Sequence, residues 1–324
     1  MAGWYCDLDD HSRSGIDSPD PELLEAHRQF SKALQWNHIA ENMSTKFHHR
    51  PIKQSIIPIG QAANAVWQLF PGWLRVHAYK IMRTIGSYLY DADGPGVQRL
   101  PLGMYLKYGP EDHGDQHRRE DESLKIVGNR TSIPVPRAID LVKSASESFL
   151  VTSQIAGERA GKYIDYYSDE EKSAMDQDLQ KWIAELHAIS KPSSLKYAIS
   201  DASGESCLDY RIDSSPVGPY SSEKEFSESL CLGILPGLVH RDDHKIVFTH
   251  GALNMRNILV KDMRIVGIVD WKNAGWFPEY WEYTKCKFSV RRQQRWLGII
   301  DEVFGGNYEE ELEIEKQYWE YHSI

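Results

Sequence analysis

Phe248 to Val260 reads FTHGALNMRNILV, and after a short break Arg264 to Tyr280 reads RIVGIVDWKNAGWFPEY. This pair decides the fold. Its apolar runs, Ile246–Thr249, Ile258–Val260 and Arg264–Asp270, are short and rich in strand formers. Polar residues sit at their ends: His250 and Gly251 after the first, Asn257 before the second, and Asp270 at the end of the third. Singly, Asn257 has an ordinary reading as a cap and Asp270 as a turn residue.

Working outward, the C-terminal part from Trp281 is helical and aromatic-rich. On the N-terminal side, Ser222–Leu235 is predicted helical and Tyr197–Tyr220 is loop-like. SDEEKSAMDQDLQKWIAELHAI, from Ser168, is a strong helix opened by the capping box Ser168–Glu171. Ser148–Ile155 has the composition of a buried strand. Thr131–Val142, TSIPVPRAIDLV, is extended because each proline pushes its predecessor out of the helical region. A helix is expected around Arg119–Val127, a strand region over Val97–Tyr108 after the turn DADGPG, and a helix over Trp73–Tyr90. Strands first and helices later predict an α+β fold with a small lobe and a larger helical lobe. The expected division is a helical extension at 1–72, an N-lobe at 73–153 and a C-lobe at 154–324.

Four separated stretches resemble the aminoglycoside phosphotransferase family, in particular a fungal group. The Phe248 stretch resembles that family's H-G-D-x-x-x-x-N loop, with His250, Gly251 and Asn257 matching. The RIVGIVD stretch resembles its second, metal-binding loop, with Asp270 thirteen residues beyond Asn257. RLPLGMYLKYG, Arg99–Gly109, resembles the strand whose lysine binds nucleotide phosphates, which points to Lys107. REDESLKIV resembles the helix whose glutamate pairs with that lysine, with Glu120 the choice and Glu122 the fallback. FLVTSQIAGE resembles the hinge strand beside the adenine and makes Gln154 and Ile155 hinge candidates by position. The resemblance implies a bilobal protein-kinase-like fold, with an antiparallel sheet in a small mixed N-lobe and a larger helical C-lobe. It also implies ATP and Mg²⁺ as cofactors, with Asn257 and Asp270 as hard oxygen ligands of the metal, and a small-molecule substrate.

Two positions depart from the family pattern. The family's catalytic aspartate falls at Ala252, where a methyl group can neither accept a proton nor orient a hydroxyl. The stretch after Asp270, commonly D-W-E in the fungal group, is DWKNAGW here and places Lys272 beside the metal ligand. A cation there weakens metal affinity or replaces part of the metal's charge. The aromatic cluster Trp271, Trp276, Phe277, Tyr280, Trp281 and Tyr283 is either lobe core or, where it faces the cleft, a stacking wall. On the second reading Trp271, Trp276, Tyr280 and Trp281, with Glu279, line the substrate pocket. HRDDH, His240–His244, imitates a kinase H-R-D, but position 247 is Val247 where that loop requires an asparagine. Its histidines are expected at the surface, as are His113 and His117, and His48 and His49.

The chain has 324 residues, 41% hydrophobic and 26% charged, with a net charge of −10. That suits two modest lobes around one cleft and argues against nucleic acid or anionic membranes as partners. Four scattered cysteines without a C-x-x-C pair argue against a disulfide framework or zinc site. The start MAGWYCDLDD lacks signal-peptide character, and no run of eighteen apolar residues occurs, so a cytoplasmic protein is expected. Three functions stay open: a family kinase with impaired or lost phosphotransfer, a repurposed secondary-metabolism enzyme using the cleft for non-phosphoryl chemistry, and an active kinase captured as an Asp-to-Ala variant.

Overall fold

The computed structural model of the chain describes residues 64–231 and 240–321. All of them belong to one compact unit, Ile56–Ile324. The expected helical extension lies almost wholly outside the described residues, as do Cys6, His48 and His49.

The N-lobe is a five-stranded antiparallel sheet in the order β1-β2-β3-β5-β4. Its strands are β1 (Ala92–Gly94), β2 (Val97–Leu100), β3 (Met104–Pro110), β4 (Ala138–Lys143) and β5 (Glu147–Ser153). Helix α1 (Gly72–Leu89) buries Val76 and Tyr79 against Leu100, Leu106, Val142, Phe149 and Val151 of the sheet. Side chains alternate along a strand, so Lys107 points to the face opposite Leu106. Helix α2 (Gly114–Arg130) carries Glu120. It begins five residues before the expected helix, because GDQHR carries no apolar periodicity to announce it.

The C-lobe is mainly helical, with α3 (Asp169–His187), α4 (Glu223–Cys231), α5 (Trp281–Ser289), α6 (Gln294–Phe304) and α7 (Glu309–Tyr321). The Ser168–Glu171 capping box forms in both directions. Two small sheets carry the loops of interest: β10-β9-β6, from β6 (Glu158–Arg159), β9 (Ile258–Lys261) and β10 (Arg264–Ile268), and β7-β11-β8, from β7 (Ser200–Asp201), β8 (Ile246–Thr249) and β11 (Gly275–Pro278). Strand β11 was not anticipated; four residues ending in proline are too few to display a period. The loop-like stretch contributes β7 and the bridges Ile199–Tyr220 and Cys207–Val217.

Most of the large aromatics fill the C-lobe core. Trp271, Trp276, Tyr280 and Trp281 are each 0–1% exposed. Trp276 packs edge-on to Phe248, and Trp281 stacks on Phe277 at 5.4 Å. These four residues therefore take the core alternative and do not wall an open pocket. The histidine expectation needs correction too. His117 is buried and bonded to Ser148 Oγ at 2.9 Å. His240 is buried, and His244 is held between Glu223 at 2.7 Å and Glu311 at 2.9 Å. Those carboxylates come from α4 and α7, which a local reading of HRDDH cannot supply.

Candidate functional site

Strand β3 and helix α2 bring Lys107 and Glu120 together. Lys107 Nζ donates to both oxygens of Glu120 at 2.7 Å and to Asp270 Oδ1 at 3.0 Å. Glu120 is sealed at 3% side-chain exposure, while Asp270 remains 29% open. Glu122 turns instead to Arg118, one helical turn back, at 3.2 Å. Burial alone would pull the Lys107 ammonium down, but Asp270 and Glu120 outweigh it and hold it above the usual lysine range. Burial alone would raise the Asp270 carboxyl, but Lys107 and then Lys272 outweigh it and hold it well below the usual carboxylate range.

Asp270 follows β10 in the left-handed backbone region, at φ 67°. That conformation is sparse for residues with a side chain, and aspartate is among the few that tolerate it. It turns the chain so that the carboxylate faces Lys107 across the lobes. The following turn, Trp271–Asn273, is pinned by Trp271 Nε1 donating to Ile268 O at 2.9 Å and Asn273 Nδ2 donating to Leu208 O at 2.7 Å. Lys272 projects from it, its Nζ 3.6 Å from Asp270 Oδ1.

The loop after β8 is held from beneath by Glu282. Its carboxylate, fully buried, accepts from the backbone N–H groups of His250 at 2.6 Å, Gly251 at 3.0 Å and Leu253 at 3.2 Å. Gly251 lies at φ 71°, and a Cβ there would stand 2.3 Å from Asn273 O, so only glycine lets the two loops meet. Burial keeps the His250 ring below its usual pKa and therefore neutral. Its Nε2 donates to Val269 O at 3.0 Å and its Nδ1 accepts from the Ala252 N–H at 3.1 Å. The Ala252 carbonyl accepts from Asn254 at 2.8 Å and Asn257 at 2.9 Å. Backbone pairing of Val269 N to Asn257 O at 2.9 Å sets Asn257 beside the Asp270 segment. The loop is thus fully braced around residue 252, whose side chain is a single methyl group.

The hinge candidates lie at the lobe junction. Gln154 N donates to Gly103 O at 2.8 Å. Ile155 packs on Gly267 of β10, where a Cβ would meet it at 2.6 Å. Glu279 sits elsewhere: its backbone N–H bonds to Lys245 O at the start of β8, roughly 15 Å of strand from His250. Asp262 is exposed in the β9–β10 turn, at the opposite end of those strands from Asn257 and Asp270. Neither carboxylate stands in at position 252.

Two further elements escaped the sequence reading. Glu282 is one; an acid flanked by Trp281 and Tyr283 has to find partners when buried, and that was the available signal. The other is Asp201 of β7. It accepts from Arg119 Nε at 3.2 Å and from Arg118 at 3.4 Å, and so ties α2 to the C-lobe next to Glu120.

The sequence profile of the phosphotransferase enzyme family, APH, matches residues 105–314. The chain belongs to this family. An aminoglycoside 3'-phosphotransferase of Enterococcus faecalis is 20% identical over 207 residues, covering 59% of this chain and 72% of the relative. Among solved structures, the streptomycin–ATP–APH(2")-IIa ternary complex superposes with a TM-score of 0.50 at 14% identity, covering 71% of this chain and 82% of that one. Aminoglycoside phosphotransferase APH(3'')-Id from Streptomyces rimosus gives a TM-score of 0.47 at 19% identity, covering 72% and 91%. No helix among the described residues is long and apolar enough to cross a membrane.

For a family that works on phosphates, the divalent cation is the part this site fits worst. The available oxygens belong to Asp270 and Asn257, and Asp270 Oδ1 already faces two ammonium groups at 3.0 Å and 3.6 Å. The two further positive charges of Mg²⁺ are opposed there by both lysines, so the site fits the ion poorly by charge although its oxygen donors are of the right kind.

Proposed function

We propose that the interlobe cleft binds ATP and that transfer of its terminal phosphoryl group to a small-molecule hydroxyl is impaired or lost. The observation that carries this reading is the contact of Lys107 with Glu120 and Asp270 beside a braced loop that ends in the methyl of Ala252. Lys107, oriented by Glu120, neutralises phosphate charge, which is most of what catalysis of a loose phosphoryl-transfer transition state requires. In the transfer, the acceptor oxygen bonds to the γ-phosphorus as the bridging P–O bond to ADP breaks. The acceptor's proton then needs a base or an orienting carboxylate, and position 252 supplies none.

The test combines nucleotide binding with a revertant. ATP or ADP is expected to raise the melting temperature, since ligand at a hundredfold excess over Kd adds about 2.7 kcal/mol. The wild-type chain is expected to consume ATP no faster than background over a panel of hydroxylated and aminated compounds. Ala252→Asp restores the missing group to a loop already shaped for it and is expected to raise turnover by ~10²–10⁴-fold. Absence of any nucleotide-induced shift sinks the proposal. Brisk wild-type turnover of ATP refutes the impairment, and turnover of a precursor without ATP points to non-phosphoryl chemistry in the same cleft.

A further inference from the structure

Asp270 has two cationic neighbours that reach it by different routes. Lys107 comes across the cleft from the N-lobe sheet, so its 3.0 Å contact depends on how the lobes stand. Lys272 belongs to the same pinned turn as Asp270, so its 3.6 Å approach to that carboxylate does not depend on how the lobes stand. Its side chain is 31% exposed. Glu120, by contrast, is sealed and committed to Lys107.

The charge balance is the point. Lys107 and Lys272 against Glu120 and Asp270 leave the cluster with no surplus negative charge to attract a metal. A polyphosphate entering the cleft still needs positive charge within a few ångströms, and a fixed ammonium supplies it where a hydrated divalent ion otherwise would. Lysine serves this role as a compact point charge and needs no coordination geometry.

We propose that Lys272 takes the charge-neutralising place of a divalent cation, so that the cleft binds nucleoside polyphosphates without metal. This rests on the nucleotide reading above and adds to it a claim about metal dependence. It concerns binding and requires no turnover.

The experiment titrates ATP and ADP by calorimetry in Mg²⁺ and in EDTA, on the wild type, Lys272→Met and Lys272→Glu. Wild-type affinity is expected to agree within about threefold between the two buffers. Lys272→Met is expected to lose about tenfold in EDTA, the scale of one well-placed charge, or about 1.4 kcal/mol. Lys272→Glu is expected to lose more in EDTA and to recover with Mg²⁺, having gained a metal-binding oxygen. Mn²⁺ alone, followed by electron paramagnetic resonance, is expected to bind Lys272→Glu and not the wild type. Should Lys272→Glu fail to fold, the methionine variant keeps the comparison. Wild-type binding that weakens tenfold or more in EDTA overturns the inference and leaves the nucleotide reading standing. So does a methionine variant equal to the wild type in EDTA. No binding in either buffer overturns both.

Discussion

The cleft and the interior of the C-lobe each assemble two cations and two carboxylates, and they use them differently. In the cleft Lys107 and Lys272 face Glu120 and Asp270, and the two members nearest the opening, Lys272 and Asp270, stay about 30% exposed. In the C-lobe Arg211 and Lys285 face Asp209 and Glu315, and every side chain is 1–3% exposed. Arg211 bonds Asp209 at 3.2 Å and Glu315 at 2.6 Å and lies 3.8 Å over the Trp281 ring. Thr284 donates to Glu315 at 2.9 Å, and the Arg211 backbone N–H donates to Asp209 at 2.9 Å. The sealed cluster satisfies its charges internally and ties the Asp209–Arg211 loop to α5 and α7. The open one leaves a carboxylate and an ammonium for something to bind. Charge inventory alone does not distinguish a structural cluster from a functional one; exposure and leftover hydrogen-bonding capacity do.

The same kind of deletion in both clusters puts that contrast to the test. Arg211→Leu strands Asp209 and Glu315 in the core and is expected to cost about 3–5 kcal/mol of stability, the range for breaking a buried pair. In a chain of this size that lowers the melting temperature by ~10 °C. Lys107→Met frees Asp270, which opens on the cleft, and strands the sealed Glu120. One stranded carboxylate instead of two is expected to cost about 1–3 kcal/mol, less than Arg211→Leu, while weakening ATP binding by about tenfold or more. Thermal melts and nucleotide titration of both variants check this. If Lys107→Met proved the more destabilising of the two, the cleft cluster would be a structural element.

The family fold was legible because its signals are local. His250, Gly251, Asn257 and Asp270 lie within a short span, and the strands around them are apolar runs with polar ends. Lys107 and Glu120 could be picked out only through the resemblance of RLPLGMYLKYG and REDESLKIV to the family's strand and helix. What could not be read depends on packing between distant elements. The support of the loop by Glu282 links residues about thirty apart, and the Arg119–Asp201 pair links residues 82 apart. The run WFPEYW has no direction of its own. Only the β8–β11 pairing and the stacking on Phe277 turn it inward and carry Glu279 away from the cleft. His244 looked like a surface residue because its two carboxylate partners arrive from α4 and α7.

A last prediction separates the clusters by pH. Burial pushes the Glu315 carboxyl up to about 7, with Arg211 and the Thr284 bond opposing that rise. A carboxyl whose folded pKa exceeds its unfolded value keeps its proton in the folded state after the unfolded chain has released it. Its contribution to stability is therefore fully present below the unfolded value of 4.5 and is lost as pH rises towards 7. His117, held down to about 3 by burial, has the opposite sign and gains stability for the fold as pH rises through the same region. The wild-type melting curve thus mixes the two, and the informative quantity is a difference. Glu315→Gln keeps an acceptor for Thr284 and an uncharged group against Arg211, and it removes only the titration. The variant's stability, relative to wild type, is expected to rise between about pH 4.5 and 7 by up to about 3 kcal/mol, or ~6–10 °C in melting temperature. Asp270, whose carboxyl is held low by Lys107 and Lys272, stays ionised throughout that window, so the same substitution leaves nucleotide binding in the cleft unchanged. A flat difference curve would mean that Glu315 is ionised at neutral pH, with Arg211 and Lys285 fully offsetting its burial.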